Sequence, residues 1–169
     1  GIVGEGLEAC QSYLAQAKEA REEYYYNLAY NPELMATEAV ETAEAIAAFK
    51  PLKAVYGNID NTSVRYHYEE FAYFKCEDVT VLMTHIGGYP RHYHPKALQK
   101  IQTARPKIFI SGHSHILKVI YDNVYDLLHI NPGAAGCYGF HNVRTAIRFT
   151  IDGSDIRDME IGEWPRMLK

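Results

Sequence analysis

Three apolar stretches of this chain each end in side chains that can bind a metal ion. The stretches are residues 53–57, 79–84 and 108–111, and they are followed by Asn58, by His85, and by His113 and His115, respectively. An amide oxygen and imidazole nitrogens suit a borderline divalent ion such as Mn, Fe, Zn, Co or Ni, and suit Ca poorly. Because ligands of open α/β sheets bind at the carboxyl ends of the strands, we expect these donors to converge. The sequence therefore predicts a divalent metal site.

Two further features support a ligand site at these strand ends. Gly57, Gly87 and Gly112 lie next to the candidate donors, where the backbone must turn sharply or a ligand must approach closely. Asp60 follows Asn58 by two residues and can orient a ligating histidine through a hydrogen bond.

The other histidines are weaker candidates, because a single histidine is more often a hydrogen-bonded surface or core residue than a ligand. His92 and His94 lie in the loop after His85, where they are either contacts for an anionic substrate or solvated loop residues. His129 falls in a predicted strand and His141 in a loop. For both of these we expect a packing or hydrogen-bonding role.

The hydrophobic periodicity changes from helical to strand-like near Pro51. Before that point, two helices are predicted over residues 7–30 and 33–49, and they form a helical hairpin. After it, we predict a helix over 95–103, a loose C-terminal tail, and strands over 53–57, 69–76, 79–84, 107–111, 117–121, 126–131, 143–151 and 155–161. This pattern predicts an N-terminal helical segment, 1–49, and an α/β core, 50–169, within one domain overall.

Composition and charge narrow the class of protein. A chain of 169 residues with 47% hydrophobic content can form one domain with a substantial core. A formal charge of −4 without a cluster of Lys and Arg argues against a nucleic-acid partner. Three cysteines without C-x-x-C spacing give no disulfide framework. No apolar run reaches the roughly 18 residues of a membrane span. We expect a soluble, cytoplasmic protein that does not bind membranes.

Four short motifs occur in an order and spacing that resemble a known family. They are Gly57-Asn58-Ile59-Asp60, Thr84-His85-Ile86-Gly87, Gly112-His113-Ser114-His115 and Asn131-Pro132-Gly133. Together they resemble the calcineurin-like metallophosphoesterases, and specifically the small bacterial and archaeal phosphodiesterases whose eukaryotic relative is a retromer subunit. The resemblance covers residues 45–162 and is specific, because four separate motifs agree in order.

The resemblance implies a fold, a reaction and a set of site residues. The fold would be α/β, with two packed β-sheets flanked by helices, here with an atypical N-terminal helical hairpin. The reaction would be hydrolysis of a small phosphate ester at a two-metal centre, and a phosphodiester is the favoured substrate. Mn would be the favoured metal, with Ni, Zn, Fe or Co as alternatives. By this resemblance Asn58, His85 and His113 would ligate one metal and His115 the other. His85 and His113 would thereby take part in catalysis, with Asp60 as a nearby supporting residue.

The sequence departs from this family at the N-terminal motifs. The family opens with a strand ending in Asp-x-His and a second ending in Gly-Asp, which supply carboxylates and one imidazole to the centre. Residues 1–49 contain neither Asp nor His. Without the bridging carboxylate, too little negative charge offsets the repulsion between two cations. We therefore expect no complete binuclear centre from this chain alone.

Two interpretations follow from this departure. The chain is either a truncated or altered form of an active phosphoesterase, or a catalytically inactive scaffold that binds a protein partner. Its start at Gly1 rather than Met leaves a tag remnant, a processed start or omitted upstream sequence open. A histidine-based metal-binding protein without hydrolysis is a third, less favoured interpretation. Loss of two strands would leave an unpaired sheet edge, which the helical hairpin or a second chain, as in a homo-oligomer, would cover.

Overall fold

The computed structural model of the protein describes residues 32–136 and 142–165. The chain divides into two compact units, one of Gly1–Leu52 with Asp60–Val64 and the other of Lys53–Ile59 with Arg65–Lys169. The helix predicted over residues 7–30 lies outside the described residues. The helix predicted over 33–49 is confirmed as α1, Pro32–Phe49.

The remaining elements alternate between short helices and hairpins. In chain order they are α2 (Thr62–His67), β1 (Phe71–Cys76), β2 (Val79–Thr84), β3 (Gly88–Tyr89), β4 (His92–Tyr93), α3 (Pro95–Ala104), β5 (Ile108–Ser111), β6 (Leu117–Asp122), β7 (Leu127–Pro132), β8 (Val143–Asp152) and β9 (Asp155–Pro165). The hairpins β1-β2, β6-β7 and β8-β9 confirm the predicted ones. Helix α3 confirms the helix predicted over 95–103.

Three details differ from the prediction. Residues 53–57 form no strand, and only a single parallel bridge joins Val55 to Glu69. The loop after His85 contains the two-residue hairpin β3-β4, which was not predicted. Strand β9 continues to Pro165, into the part of the chain that was expected to be a loose tail.

A five-stranded sheet organises the larger unit. Its strand order is β1-β2-β5-β7-β6. The three central strands run parallel, with β5 between β2 and β7, and an antiparallel strand lies at each edge. The carboxyl ends of β2, β5 and β7 therefore lie at one edge of the sheet, where ligands of α/β proteins bind.

Each face of this sheet carries its own core, because side chains alternate along a strand. On one face, Leu82, Phe109 and Leu127 pack with Ala97 and Ile101 of helix α3. On the other face, buried side chains of the large sheet pack against the β8-β9 sheet. The large sheet contributes Val79, Val81, Ile108 and Ile130, and their partners include Ile147, Phe149 and Ile151. The predicted fold class, an α/β fold with two packed sheets flanked by helices, is confirmed.

The end of helix α3 sets where β5 begins. Arg105 has a left-handed backbone with φ 46°, and its N–H donates to Ile101 O at 2.8 Å. Pro106 follows and cannot continue the helix. The chain then enters β5, which leads directly into the Gly112-His113-Ser114-His115 turn.

Candidate metal centre

The strand register places the predicted histidines side by side. In the parallel pair β2-β5, Thr84 lies opposite Ser111. The next residues of each strand remain joined, because Gly112 N–H donates to His85 O at 3.0 Å. The two strand ends thus bring the imidazoles of His85 and His113 to the same position at the edge of the sheet.

Asn58 completes a cluster of three donor atoms within the larger unit. Its Oδ1 lies 2.9 Å from His85 Nε2 and 3.1 Å from His113 Nδ1. The two imidazole nitrogens are 3.3 Å apart, and the rings meet edge to face at 75°. The backbone of Asn58 is held as well, because the Arg65 guanidinium donates to Asn58 O at 3.2 Å. Three of the four predicted ligands therefore converge.

The turn that carries His113 has an uncommon backbone. Ser114 N–H donates to Gly112 O at 2.7 Å, which closes a three-residue turn around His113. His113 and His115 both have left-handed backbones, with φ 63° and 58°. Such conformations are uncommon for residues other than glycine and cluster at functional sites. The surrounding structure must hold this turn in place.

Asn131 supplies that support from the neighbouring strand β7. Its buried Nδ2 donates to Gly112 O and to Ser114 Oγ, at 3.0 Å each. Its Oδ1 accepts from Gly133 N–H at 3.0 Å. The Asn131-Pro132-Gly133 motif is thus a brace for the histidine turn.

A cleft of about 320 Å³ opens beside His113. It lies between the β3-β4 loop and the ends of strands β5, β6 and β7, and its lining includes Tyr89, His92, His94, Lys118 and His129. This volume is at the lower end of the roughly 300–1,000 Å³ typical of small-molecule pockets. The size suits a small ligand.

His129 lies on strand β7, lines the cleft and is 1% exposed. Its Nε2 lies 3.1 Å from Gly88 O and 3.2 Å from Ser111 Oγ. Because a carbonyl oxygen only accepts, Nε2 carries the proton and donates to Gly88 O. Burial lowers the pKa of His129, and the nearby Lys118 lowers it further. The predicted packing and hydrogen-bonding role of His129 is confirmed.

The other predicted site residues are placed as follows. His115 is half-buried and has a left-handed backbone, and its role as a ligand of a second metal stays a prediction. Asp60 belongs to the smaller unit. His92 and His94 line the cleft, and their contact with a substrate stays a prediction. His141 lies outside the described residues.

The donor separations test whether a metal ion fits between Asn58, His85 and His113. Bonds of about 2.1 Å separate neighbouring ligand atoms by about 3.0 Å in octahedral and about 3.4 Å in tetrahedral geometry. The observed separations of 2.9, 3.1 and 3.3 Å lie at or close to this range. One amide oxygen and two imidazoles also form a suitable donor set for a borderline divalent ion. The residues therefore fit one metal ion.

A second metal ion does not fit the described residues in the same way. Within 32–136 and 142–165, no group of three or more His, Cys, Asp or Glu side chains could hold a metal. Two adjacent divalent ions need carboxylates to offset their repulsion. Among the described residues, the fit to a metal ion is thus shown for the single position between Asn58, His85 and His113.

Sequence reasoning missed two contributors to this site. Lys118 enters the cleft from strand β6, and Asn131 holds the histidine turn. The Asn131-Pro132-Gly133 motif was a signal for the second of these, but its partner, Gly112, is distant in the chain. No local pattern marks Lys118.

The fold and the site together define a two-sheet α/β protein in which Asn58, His85 and His113 form a donor cluster that fits a metal ion, beside the carboxyl ends of β2 and β5. The sequence profile of the calcineurin-like phosphoesterase superfamily domain matches residues 33–154. The chain belongs to the calcineurin-like phosphoesterase superfamily. Members of this family generally depend on divalent metals.

Solved structures with the same fold include both eukaryotic and bacterial proteins. Vps29 of Chaetomium thermophilum matches with a TM-score of 0.54 and 14% identity, over 75% of this chain and 76% of that one. Wild-type Vps29 of Entamoeba histolytica, complexed with Zn²⁺, matches with a TM-score of 0.51 and 17% identity, over 69% of each chain. Thermotoga maritima protein TM1076 matches with a TM-score of 0.50 and 22% identity, over 73% of each chain. At these identities the likeness shows the fold.

None of the functionally curated protein sequences matches this chain significantly. Among the helices of the described residues, none is long and apolar enough to cross a membrane.

Proposed function

We propose that this protein is a metal-dependent phosphoesterase that hydrolyses a small phosphodiester. The metal would be held by Asn58, His85 and His113. The observation that carries the proposal is the convergence of these three donors to within 2.9–3.3 Å of one another beside a cleft. Mn is the first candidate, with Ni, Zn, Fe and Co as alternatives, because all of them accept mixed N/O donors.

The residues of the chain would hold the metal ion in position and form the cleft that receives the substrate. A divalent ion at the cluster would polarise a phosphoryl oxygen as a Lewis acid. The two imidazoles must be neutral to serve as ligands, so protons compete with the metal as the pH falls. Gly87 and Gly112 line the same cleft. Gly87 is needed for packing, because a Cβ there would lie 2.5 Å from Ser111 Cβ, whereas a Cβ on Gly112 would come no closer than 3.7 Å to His85 Nδ1. His113 is exposed at the mouth of the cleft, where a substrate can reach it.

A two-metal version of this mechanism needs more ligands than the described residues provide. His115 is our candidate for the second metal, and Asp60 for a supporting residue. Two adjacent ions would also need carboxylates that bridge them and balance their charge, and no group of three or more His, Cys, Asp or Glu side chains in the described residues could hold a metal. We therefore propose that this chain on its own binds one ion and hydrolyses phosphodiesters slowly.

Hydrolysis of bis-p-nitrophenyl phosphate with added Mn, Ni or Co tests the proposal. We expect metal-dependent activity, and we expect His113→Ala to lower it by at least about 100-fold because it removes a metal ligand. The matched control is His67→Ala, which alters an exposed histidine on helix α2 and should keep full activity. Absence of activity with all three metals, or full activity in His113→Ala, would contradict the proposal.

A second candidate function is a catalytically inactive scaffold that binds a protein partner. The specific observation in its favour is that no group of three or more His, Cys, Asp or Glu side chains in the described residues could hold a metal ion. Exposed apolar side chains on the edge strand β6, Val119, Ile120 and Tyr121, offer a surface for such a partner. Metal binding without hydrolysis in the assay above would favour this candidate.

The composition and charge of the chain support a cellular location and a class of partner. We propose a cytoplasmic protein whose partner is a small phosphate ester and which binds neither nucleic acid nor membranes. A second chain, as in a homo-oligomer, or the N-terminal helical segment would cover an edge of the five-stranded sheet; we propose the homo-oligomer. Size-exclusion chromatography with light scattering measures this state directly, and a monomer would contradict it.

A further inference from the structure

The wall of the cleft beside His113 carries an ammonium group that the metal site does not use. Lys118 lies on strand β6 directly opposite Asn131 of β7. Paired residues of an antiparallel ladder place their side chains on the same face of the sheet. Lys118 therefore lies on the face that carries Asn131 and His129, and all three line the cleft.

An aromatic ring holds this lysine in place. The Lys118 ammonium lies 4.2 Å from the centroid of the Tyr89 ring, a distance typical of cation–π contacts. The Tyr89 ring also contacts His92, with centroids 5.0 Å apart. Lys118 is itself only partly exposed. The cation is thus positioned by the fold more firmly than a lysine that extends into solvent.

Lys118 has no acidic partner in the described residues. Three other lysines of the same unit each pair with a carboxylate at 2.6–2.9 Å: Lys75 with Asp78, Lys96 with Glu70, and Lys107 with Asp126. The residues that line the cleft include Lys118 and four histidines, but neither Asp nor Glu. A small cleft lined by an unpaired cation and by imidazoles favours an anionic ligand.

We infer that Lys118 binds a second anionic group of the substrate, distinct from the phosphate that would lie at Asn58, His85 and His113. The inference rests on the proposed function and gives it a substrate class. The substrate is a small phosphodiester that carries a further phosphate or carboxylate group, short enough for both anionic groups to lie in one cleft of about 320 Å³. Lys118 is then a specificity-determining residue, and Tyr89 positions its ammonium.

A matched pair of ligands isolates the second anionic group. Ethyl phosphate and 2-phosphoglycolate share one phosphate monoester, and a carboxylate in the second replaces the methyl group of the first. We expect the wild-type protein to bind 2-phosphoglycolate about tenfold more tightly, as measured by isothermal titration calorimetry at low salt. Lys118→Met should remove this preference while it leaves the affinity for ethyl phosphate within about twofold.

Lys100→Met is the control variant. Lys100 also lies over an aromatic ring, that of Phe71 at 5.8 Å, and is absent from the cleft lining. Its replacement should leave the preference unchanged. Equal affinity of the wild-type protein for both ligands, or no binding of 2-phosphoglycolate, overturns the inference. So does an equal loss of both ligands in Lys118→Met, because the lysine would then contact the shared phosphate.

The two proposals fail separately. The titration is performed both with Mn and with EDTA, and the preference for 2-phosphoglycolate needs no catalysis. A preference that Lys118→Met removes supports the second anion site even where bis-p-nitrophenyl phosphate is not hydrolysed. Hydrolysis of that substrate without any preference overturns the Lys118 site and leaves the proposed function standing.

Discussion

At the scale of single residues, the candidate metal site depends on Asn131, which is not itself one of the proposed ligands. Asn131 uses both of its amide hydrogens, donating to Gly112 O and Ser114 Oγ, and it is 3% exposed. These bonds hold the three-residue turn that gives His113 its left-handed backbone. Loss of the amide would leave a strained turn without support.

We therefore predict that Asn131→Ala lowers the affinity for Mn by about 10–100-fold, although every ligand atom remains. Competition against a fluorescent chelator measures this affinity. Asn123→Ala is the control, since it alters an exposed residue in the β6-β7 turn. Unchanged Mn affinity in Asn131→Ala would show that the turn keeps its shape without the brace.

A second prediction concerns the buried His129. Burial lowers its pKa in the folded protein, so near pH 6 the unfolded chain binds a proton that the folded chain does not. The contribution of His129 to the free energy of unfolding is fully present above its usual pKa of about 6.5. This contribution is lost as the pH falls toward the lower pKa that His129 has in the folded protein. The slope contributed is at most about 1.4 kcal/mol per pH unit.

Urea unfolding at several pH values between 5 and 8 would measure the slope. We expect His129→Gln, which keeps an amide donor for Gly88 O, to have a shallower dependence of stability on pH than the wild-type protein. His67→Gln provides a control with an exposed histidine. If the curves of wild type and His129→Gln are parallel, the lowered pKa of His129 does not contribute.

At the scale of elements, the connection between the two sheets shapes the site. Gly133 follows strand β7 with φ +81°, and a Cβ there would lie 2.0 Å from Thr145 Oγ1. Thr145 is 7% exposed on β8 and donates to Pro132 O at 2.7 Å. Its N–H also donates to Ala134 O at 2.9 Å. Any other residue at this position would combine a strained backbone with displacement of the Thr145 side chain.

Gly133→Ala should accordingly lower the free energy of unfolding by about 1–3 kcal/mol, from the positive φ together with the contact to Thr145. Gly136→Ala is the matched control, because a Cβ there meets nothing within 4 Å. Chemical denaturation compares the two variants. Equal stability of Gly133→Ala and the wild-type protein would mean that Thr145 moves without cost.

Most of the elements could be predicted from local patterns in the sequence. The alternation over residues 69–76, the apolar run 79–84 and the turn at Glu77-Asp78 between them predict the hairpin β1-β2. Pro95 and Arg105-Pro106 bound helix α3. Residues 53–57 were predicted as a strand because they are apolar. Within the described residues they form no strand ladder, and one isolated parallel bridge joins Val55 to Glu69. A local pattern cannot show whether a neighbouring strand exists.

The site was predictable to a similar degree. The convergence of His85 and His113 follows from the parallel pairing of β2 and β5, at whose ends the motifs lie. Asn58 joins them from a segment that forms no strand, which the apolar pattern of residues 53–57 did not show. The left-handed backbone of His113 and the position of Lys118 could not be predicted. Both depend on contacts across strands that are distant in sequence, such as Lys118 with Tyr89.

At the scale of the whole molecule, we expect the distribution of charge to limit how many metal ions bind. The chain has a formal charge of −4, yet its first 49 residues contain no Asp, and the three proposed ligands, Asn58, His85 and His113, carry no negative charge. Two neutral imidazoles and an amide can hold one divalent ion but offset none of its charge. A second ion nearby would face the full repulsion of the first.

The most direct test of this account is the number of Mn ions bound per chain, measured by equilibrium dialysis and elemental analysis. The account predicts one ion for the wild-type protein and none for His113→Ala, while His67→Ala keeps one. Two ions bound to the wild-type chain, or an unchanged count in His113→Ala, would contradict it.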